Sequence, residues 1–378
     1  MELTEKIPKR VQWIDIFKGI AILLMVIGHA ASPFNGYIYL FHMGAFLFIS
    51  GYTSKLNKVS LDILFLKKIL GLLLPYYSLS IISIFLLALL HSLGIYDNLF
   101  GNNYIEIKGA IKLLFDGYNV STFLGATWFL IVLFNVFIVQ KLLLICSRNK
   151  VKYLYFVLSL ILFLVGYYFV RIKISSPKLM IDLVFIAQFY FALGVMASEA
   201  TDIIKNKSII SWIAAPISIG LLYYFKNVNY AGVDYPSREF GNILNNFLAA
   251  TSGIVILIIL SQLLVKTKLL KQQLILFGKN TLGILFFHFL YFKAFFIIMV
   301  FLFQLDKEIW FLKHIPESNN NYWLIISLFS VYLSIFTWKC LQKSEYISIF
   351  LGANQNFNRR VINNYQRLRT KLIISERR

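Results

Sequence analysis

Long apolar segments recur along almost the whole chain, and they restrict its fold more than any other feature. A helix that crosses the hydrocarbon core of a bilayer needs roughly 20 apolar residues. Ten segments meet or approach that length, and they are residues 16–34, 37–53, 69–94, 126–146, 153–171, 179–198, 208–226, 246–265, 280–303 and 322–342. We therefore predict an all-α integral membrane protein, a bundle of about ten transmembrane helices.

The composition supports the same fold class. Of the 378 residues, 59% are hydrophobic and only 14% are charged, and the mean hydropathy is +0.72. A soluble domain with so few charged residues would expose large apolar patches to water. We predict one membrane domain over residues 1–345, followed by a basic cytoplasmic tail over residues 346–378.

The distribution of basic residues predicts the orientation of the helices. Short loops that face the cytoplasm collect Lys and Arg in membrane proteins. If the N-terminus lies inside, 23 of the 37 basic residues fall on the cytoplasmic side and nine on the external side. Both termini are therefore predicted to be cytoplasmic. The same bias, together with contact with anionic membrane lipid, accounts for the net charge of +20, so no nucleic-acid partner is expected.

A cleaved signal peptide is an alternative explanation of the basic N-terminus and the first apolar segment. Cleavage would leave nine spans, and one end of the mature chain would then lie outside the cell. Residues 343–378 carry eight basic residues. Because a segment of that kind is poorly exported, we favour ten spans and no cleavage.

The stretch "WIDIFKGIAILLMVIGH", residues 13–29, begins just before the first segment and continues into it, and ionisable residues interrupt its apolar sequence. Such residues are costly in hydrocarbon and commonly mark functional sites. Lys18 and His29 are 11 residues apart, about three helical turns, so they share one face of the helix. Asp15 is close enough along the helix to pair with Lys18. The polar stripe on this face consists of Asp15, Lys18, Ile22, Met25 and His29.

The second segment adds a histidine at a matching depth. His42 follows a turn centred on Asn35 and Gly36, and His29 precedes that centre by the same number of residues. Two antiparallel helices joined there would hold both imidazoles in one layer near the outer face. Imidazole changes its charge near neutral pH and is a natural general base. The structural alternative is that these are ordinary interfacial residues and that Lys18 only anchors its helix.

These helices also contain recognisable motifs. One is a basic residue followed by ten residues and a histidine, here Lys18 to His29. Another is "FHMGAFLFISGY", residues 41–52. Weaker motifs follow in order, and they are "KKILGLLLPYY" at 67–77, "ATWFLIVLF" at 126–134 and "FGKNTLGILFFH" at 277–288. In these motifs the sequence resembles the acyltransferase 3 family, especially its fucose 4-O-acetylase-like branch, although that family usually has a proline where this chain has Gly44.

The resemblance implies a ten-helix enzyme of the cell (inner) membrane, an O-acetyltransferase without a metal. Such an enzyme moves an acyl group, usually acetyl from cytoplasmic acetyl-CoA, to a hydroxyl of a surface glycan or lipid-linked oligosaccharide. His29 would deprotonate the sugar hydroxyl or carry the acetyl group transiently. Lys18 and Asp15 would position the inner part of the site, and His42 would be a further catalytic residue.

The resemblance also implies a binding site for the donor. The family often has a paired basic motif at the start of its third helix, where it would face the phosphates of CoA. Lys67 and Lys68 are predicted to bind CoA here, although Leu70 and Gly71 stand where a second basic residue would follow. Anchoring of the helix at the cytoplasmic face is an equally good explanation of the two lysines.

Further polar and aromatic residues are candidates for binding the acceptor. Trp128 and His288 are predicted substrate-binding residues, although tryptophan is also common at membrane interfaces. Lys293 is expected to face the interior of the bundle. Asp182 is a candidate for an acidic partner of the histidines, and Glu239 is a weaker candidate.

A polysaccharide polymerase or flippase is the alternative function, because its hydropathy profile would be similar. A polymerase would favour a large external loop rich in basic residues, whereas residues 95–125 contain only Lys108 and Lys112. A secondary transporter typically shows repeated halves, and no internal repeat is visible in the sequence. The same loop contains an amphipathic segment, residues 104–118, which we predict to be a helix on the outer surface.

Overall fold

The structure, a computed structural model, describes residues 11–101, 104–147, 152–173, 178–199, 208–228, 233–305 and 321–375. Within these ranges the regular elements are helices. The β-type pairing found there is confined to an isolated bridge between Asp234 and Glu239. The prediction of an all-α protein is therefore confirmed.

The helices follow the apolar segments closely. In the described residues they are α1 (Gln12–His29), α2 (Asn35–Tyr52), α3 (Leu61–Lys68), α4 (Leu74–Ser92), α5 (Tyr96–Phe100), α6 (Ile107–Asp116), α7 (Trp128–Cys146), α8 (Lys152–Arg171), α9 (Ile181–Glu199), α10 (Ser208–Val228), α11 (Ile243–Leu264), α12 (Leu269–Lys279), α13 (Thr281–Phe303), α14 (Trp323–Gln342), α15 (Glu345–Phe350) and α16 (Gln355–Ser375). Each of the predicted spans coincides with one of these helices.

Eight helices in the described part of the chain are long and apolar enough to cross a membrane, judged by length and composition. They correspond to all the predicted spans except the second and the seventh, which form α2 and α10. The chain is thus a multi-pass membrane protein. The crossing of the membrane by α2 and α10, and the side on which the termini lie, stay predictions.

The interior position of α2 explains why it is less apolar than its neighbours. It packs against α1, α9 and α11, and 11 of its 18 residues are buried. A helix surrounded by protein can carry polar side chains that a helix facing lipid cannot. This position allows α2 to bring His42 into the centre of the bundle.

Glycines bring α2 and α9 into backbone contact. A Cβ atom on Gly51 would lie 2.0 Å from the carbonyl oxygen of Phe191. One on Gly194 would lie 2.0 Å from the carbonyl oxygen of Phe48. Small residues at helix crossings are the usual means of close packing in membranes. Any side chain larger than hydrogen would push these two helices apart.

A second pair of glycines joins α1 to α12. A Cβ on Gly19 would lie 2.0 Å from the carbonyl oxygen of Leu274, and one on Gly278 would lie 1.9 Å from that of Asp15. The end of α12 therefore lies directly against the first half of α1. This contact places Lys279, the last residue of α12, beside the region of Lys18.

α3 and α4 form one continuous helix of 32 residues, Leu61–Ser92. A π-helical turn, Ile69–Leu73, joins them. Turns of this kind are rare and are frequently found at functional sites. A Cβ atom on Gly71 within the turn would meet no atom within 4 Å. The turn therefore borders open space inside the bundle.

The amphipathic helix predicted in the loop after α4 is present as α6. Ala110 and Leu114 form its buried face, and each is 2% exposed. The single hydroxyl hydrogen of Tyr76 in α4 is shared between two carbonyl oxygens, those of Leu114 at 3.3 Å and Tyr118 at 3.0 Å. These bonds fix α6 against α4, while its location on the outer membrane surface stays a prediction.

Candidate active site

A cavity of about 460 Å³ lies between the helices, and we call it the central cavity. α2, α7, the π-helical turn and the first turns of α13 form most of its wall. Lys18 and His29 are roughly 16 Å apart along the axis of α1, so the cavity joins the lysine end of that helix to its histidine end. The residues that α1 contributes are those of the predicted stripe, namely Lys18, Ile22, Met25 and His29.

His29 lies in a cluster of imidazole and aromatic rings. The hydroxyl oxygen of Tyr39 is 3.0 Å from Nδ1 of His29. The centre of the Tyr39 ring is 5.1 Å from that of His42. The ring of His288 stacks on His29 with 5.5 Å between their centres. His29 and His42 thus line one end of the central cavity, and His288 from α13 packs behind His29.

The stacking partner of His29 indicates its depth. His288 is the eighth of the 23 residues of α13, so it lies well inside that helix. It is fully buried, and both imidazoles also contact the ring of Phe289, at 4.9 Å from His29 and 4.2 Å from His288. His29 therefore lies deeper in the bundle than its position at the end of α1 suggests.

Hydrogen bonds fix the protons of two of the imidazoles. Nδ1 of His42 is 3.0 Å from the carbonyl oxygen of Ile38, and Nδ1 of His288 is 2.9 Å from that of Ile284. A carbonyl oxygen only accepts, so in the neutral ring Nδ1 carries the hydrogen and Nε2 keeps the lone pair. Nε2 of His288 is buried and finds no hydrogen-bond partner among the described residues.

Lysines surround the opposite end of the central cavity. Lys18 and Lys279 both line it. Lys68 lies close enough to Lys18 for their charges to repel each other. Its ammonium nitrogen is 3.2 Å from the centre of the Phe137 ring, a cation–π contact. Lys67 is exposed on α3. This end of the cavity is therefore positively charged.

A loop between α10 and α11 covers the histidine end, and we call residues 233–240 the capping loop. Asp234 and Tyr235 line the central cavity. Reciprocal backbone hydrogen bonds of 2.7 and 2.9 Å between Asp234 and Glu239 close the loop into a narrow hairpin. The Asp234 carboxylate also lies close enough to the Tyr39 hydroxyl to interact with it electrostatically.

Trp128, the first residue of α7, forms a flat wall at this end. Its ring stacks on Tyr235 with 6.4 Å between centres and 22° between planes. Burial raises the pKa of Tyr235, so its hydroxyl stays neutral. The side-chain oxygen of Asn119 accepts hydrogen bonds from the backbone N–H of Trp128 at 3.1 Å and from the Thr127 hydroxyl at 3.4 Å. The amide of Asn119 donates to the Gly125 carbonyl oxygen at 2.5 Å, so the start of α7 is held firmly.

Comparison with protein families identifies the chain. A family model described as an acyltransferase domain, acyltransferase 3, matches residues 11–339. The chain belongs to the acyltransferase 3 family. No curated protein and no solved structure matches it significantly. The matched range includes every residue of the central cavity, so the cavity lies in the acyltransferase domain of a multi-pass membrane protein. The fucose 4-O-acetylase-like branch stays a prediction.

In this acyltransferase, Asp182 pairs with an arginine and not with the histidines. Its Oδ2 accepts a hydrogen bond from Nε of Arg238 at 2.6 Å, and the two side chains are 2% and 19% exposed. Arg238 also donates to the hydroxyl of Tyr118 at 3.4 Å. The expectation of an acidic partner for the histidines was wrong, because the capping loop supplies a closer cation. The pair instead ties the capping loop to α9.

Other predicted residues of the acyltransferase lie beside the central cavity or away from it. Asp15 is buried, but it is not among the residues that line the cavity, and its pairing with Lys18 stays a prediction. Lys293 is buried as expected, and its ammonium donates to the carbonyl oxygen of Leu99 at 2.6 Å. Glu239 is exposed and contributes to the capping loop through its backbone.

The acyltransferase has open space at Gly71, where the resemblance described above led us to expect a basic side chain. Gly71 lines the central cavity, and no atom lies near the position of its missing Cβ. Lys279 lines the same cavity from α12. Positive charge at this end therefore comes from α1 and α12 as well as from α3.

Several lining residues were missed by reasoning from the sequence. Tyr39 precedes His42 by three residues, so the i, i+3 spacing was an available signal that both face one side. Lys279 lies within the motif at residues 277–288, but a lysine at the end of an apolar segment is also what simple anchoring of a helix would produce. No periodicity connects Asp234 or Tyr235 to the cavity, because they lie in a loop, so the sequence offered no signal for them.

Proposed function

We propose that this acyltransferase is an O-acetyltransferase of the inner membrane, which moves acetyl from acetyl-CoA to a hydroxyl of a surface or lipid-linked glycan. The proposal rests on one observation. A single central cavity has lysines at one end and His29 at the other. The donor would thus bind at one end of the cavity and the acceptor at the other. The basic tail, residues 346–378, would lie against anionic lipid on the cytoplasmic side.

The lysine end suits the phosphate groups of coenzyme A. Ammonium groups bind phosphate oxygens through charge-assisted hydrogen bonds. Lys18 and Lys279 line the cavity there, and Lys67 and Lys68 lie on the neighbouring helix. The excess of basic residues in the predicted cytoplasmic loops supports placing this end inside the cell. Acetyl-CoA would therefore reach the site from the compartment in which it is made.

His29 is the proposed general base. The acceptor hydroxyl transfers its proton to Nε2 of His29 while its oxygen attacks the carbonyl carbon of the thioester. Collapse of the tetrahedral intermediate breaks the carbon–sulfur bond and leaves an ester on the sugar. The departing thiolate takes the proton from the imidazolium, so CoA leaves as the free thiol and His29 returns to its neutral form.

Tyr39 supports this role because it can select the tautomer of His29. If Nδ1–H of His29 donates to the Tyr39 oxygen across their 3.0 Å contact, Nε2 keeps the lone pair that accepts the proton. A hydrogen bond to the other ring nitrogen is the usual way in which a catalytic histidine is oriented. His42, whose ring contacts Tyr39, would hold the tyrosine in position.

The capped end suits a sugar. An aromatic side chain presents a flat apolar face, on which the C–H face of a sugar ring can stack. Trp128 offers such a face. The Asp234 carboxylate lines the same end and would accept hydrogen bonds from sugar hydroxyls. These two groups would orient one hydroxyl toward His29. His288, predicted to bind substrate, is fully buried behind His29 and is not among the residues that line the cavity.

The test is mass spectrometry of the surface glycan from cells that express the wild type or His29→Ala. The wild type should add the mass of one acetyl group per repeat, and the variant should add none. Leu24→Ala is the matched control, because it removes a partly buried side chain from the same helix outside the cavity. This control should acetylate as the wild type does.

Two results would contradict the proposal. One is normal acetylation by His29→Ala when the variant is present at the level of the wild type. The other is a glycan whose chain length depends on the protein but whose repeats carry no acetyl group, which would favour the polymerase alternative.

A further inference from the structure

A second cavity, of about 390 Å³, lies between α4, α5, α6 and the segment that precedes α7. We call it the aromatic cavity, because Tyr96, Phe100 and Tyr104 form much of its wall. The ring centre of Tyr96 lies 5.1 Å from that of Phe100 and 5.2 Å from that of Tyr104. Its volume falls within the range of roughly 300–1,000 Å³ that is usual for small-molecule sites.

The lining of the aromatic cavity mixes rings with hydrogen-bonding groups. Of its eleven lining residues, four carry a hydroxyl or an amide, and they are Tyr96, Tyr104, Asn119 and Ser121. A hydrocarbon chain needs none of these groups. A sugar uses both kinds, since its hydroxyls form hydrogen bonds and its C–H faces stack on aromatic rings. The chemistry of the wall therefore favours a carbohydrate ligand.

Gly125 lines both the aromatic cavity and the central cavity. The wall between them is shaped by Asn119, whose amide donates to the Gly125 carbonyl oxygen at 2.5 Å. The side-chain oxygen of Asn119 accepts a hydrogen bond from the backbone N–H of Trp128 at 3.1 Å. One short segment, residues 119–128, thus positions groups in both cavities, and ligands bound in the two would be neighbours.

Lys293 connects the aromatic cavity to the helix of His288. Its ammonium donates to the carbonyl oxygen of Leu99 at 2.6 Å and lies 5.2 Å from the centre of the Phe100 ring. Both contacts are with α5, which forms one wall of the aromatic cavity. The buried lysine therefore fixes that wall relative to α13, which carries part of the histidine cluster.

We propose that the aromatic cavity binds the sugar residue next to the one that receives the acetyl group. This inference rests on the proposed function and adds to it the substrate class, an acceptor of at least two linked sugars. The adjoining sugar would be held against Tyr96 and Tyr104 while its neighbour reaches past Gly125 toward His29. A lipid chain is the competing occupant.

The experiment compares acceptors of different length. Monosaccharides and oligosaccharides are released by mild hydrolysis from the surface glycan of cells that express His29→Ala, whose repeats should carry no acetyl group, and are offered to the full-length wild-type protein in detergent. Acetyl-CoA is the donor, and the release of CoA gives kcat/KM for each fragment. The wild type should use oligosaccharides at least tenfold better than monosaccharides.

Ala110→Phe should abolish that preference by filling the aromatic cavity. Ala110 lines the cavity and is 2% exposed, so a phenyl ring there would occupy the space of the second sugar. The KM for acetyl-CoA and the rate with monosaccharides should not change. Ile111→Phe is the matched control, because its side chain lies on the same helix and is 42% exposed. This control should keep the preference.

Tyr96→Phe keeps the ring and removes one hydroxyl, so it tests the proposal even if Ala110→Phe does not fold. It should lower the preference for oligosaccharides at least threefold. Equal use of both fragment classes by the wild type, or an unchanged preference in both variants, would show that no sugar binds in the aromatic cavity and would leave a lipid chain as its occupant. If the wild type acetylates no fragment, the proposed function fails and this proposal fails with it.

Discussion

Tyr39 and His29 form the contact on which the proposed chemistry most depends at the scale of single residues. Tyr39→Phe keeps the ring and removes the oxygen that lies 3.0 Å from Nδ1 of His29. Without it the imidazole can adopt the unproductive tautomer, and the loss of one oriented hydrogen bond should lower kcat about tenfold or more. The KM for acetyl-CoA should stay unchanged. Steady-state kinetics with the purified protein give both values.

Tyr37→Phe provides the matched control for that prediction. It removes the same atom from the same helix, and the Tyr37 ring lies beside Lys226 instead of the histidines. Full activity is expected of this variant. A loss of activity equal to that of Tyr39→Phe would mean that the tyrosines of α2 act only through the stability of the helix.

Lys279 should affect the binding of acetyl-CoA and not the chemical step. Lys279→Gln removes a cation that lines the central cavity. A hydrogen bond to a charged group is worth about 1.5–3 kcal/mol, so the KM for acetyl-CoA should rise about tenfold or more while kcat changes little. Lys268→Gln, at an exposed position before α12, should leave both constants as they are. A fall in kcat with an unchanged KM would contradict the assignment of this end to CoA.

The residue scale also shows how far the sequence could lead. The spacing from Lys18 to His29 predicted a face of α1, and that face lines the central cavity. Helical periodicity made this possible, because it converts distance along the chain into a direction in space. The pairing of Asp182 with Arg238 has no such rule, since it joins a helix to a loop 56 residues away. The prediction for Asp182 failed for that reason.

At the scale of elements, close helix crossings determine how the walls of the central cavity are placed. Gly194→Ala would put a Cβ atom 2.0 Å from the carbonyl oxygen of Phe48. Since backbone cannot move aside as a side chain can, α2 and α9 must separate. Overpacking of this kind costs about 1–3 kcal/mol, so the melting temperature in detergent should fall by several degrees. Activity should fall as well, because α2 carries His42.

Gly220→Ala is the control for that measurement. A Cβ at Gly220 would meet no atom within 4 Å, and alanine favours a helix over glycine by roughly 0.5–1 kcal/mol. Its melting temperature should be equal to or above that of the wild type. If Gly194→Ala has the same melting temperature as the wild type, the two helices are not in backbone contact.

The capping loop is the element whose stability depends most on one ion pair. Arg238 has a φ angle of 61°, a left-handed conformation that costs an L-residue roughly 1–2 kcal/mol. Its pairing with the buried Asp182 offsets that cost. Removing one partner of a buried pair is strongly destabilising, so Arg238→Gln should release the loop.

Hydrogen exchange measured by mass spectrometry would detect the release. Peptides from residues 233–242 should exchange at least tenfold faster in Arg238→Gln than in the wild type, while peptides from α11 should exchange at the wild-type rate. Arg238→Lys, which keeps the charge, should lie between the two. Unchanged protection in Arg238→Gln would mean that the stack of Tyr235 on Trp128 holds the loop by itself.

The helices themselves were predictable from the sequence, and their irregular connections were not. Each predicted apolar segment coincides with a helix. In hydrocarbon a single segment can satisfy its backbone hydrogen bonds without a partner strand only if it is helical. The π-helical turn around Gly71 and the capping loop have no comparable signature. Their conformations depend on tertiary contacts, and both border the central cavity.

On the scale of the whole molecule, the predicted topology divides the basic residues unequally between the two sides of the membrane. The predicted cytoplasmic side carries 23 basic residues against nine on the external side. The last helix, α16, contacts α3 through an ion pair of 3.0 Å between Arg369 and Asp62. That contact places Arg369 of the basic tail beside α3, the helix that carries Lys67 and Lys68, while the side of the membrane on which they lie stays a prediction.

The two ends of the central cavity should therefore face opposite sides of the membrane, and cysteine labelling can test this. Cys146 and Cys340 are exposed and would first be replaced by serine. An impermeant maleimide added to intact cells should label Asp234→Cys, because the capping loop is expected outside. Lys279→Cys should react only after permeabilisation. Tyr346→Cys, at a position that is 80% exposed after the last span, is the control for the cytoplasmic side.

The labelling pattern bears on the mechanism as well as on the topology. A donor from the cytoplasm and an acceptor outside the cell can meet at His29 only if the two ends open to different compartments. Labelling of Asp234→Cys and Lys279→Cys from the same side would make the cavity a one-sided pocket, and both substrates would then have to share one entrance. With labelling from opposite sides, the 16 Å between Lys18 and His29, estimated at about 1.5 Å per residue, is the distance that the arm of CoA must span to bring its thioester from the cytoplasmic end to the acceptor hydroxyl.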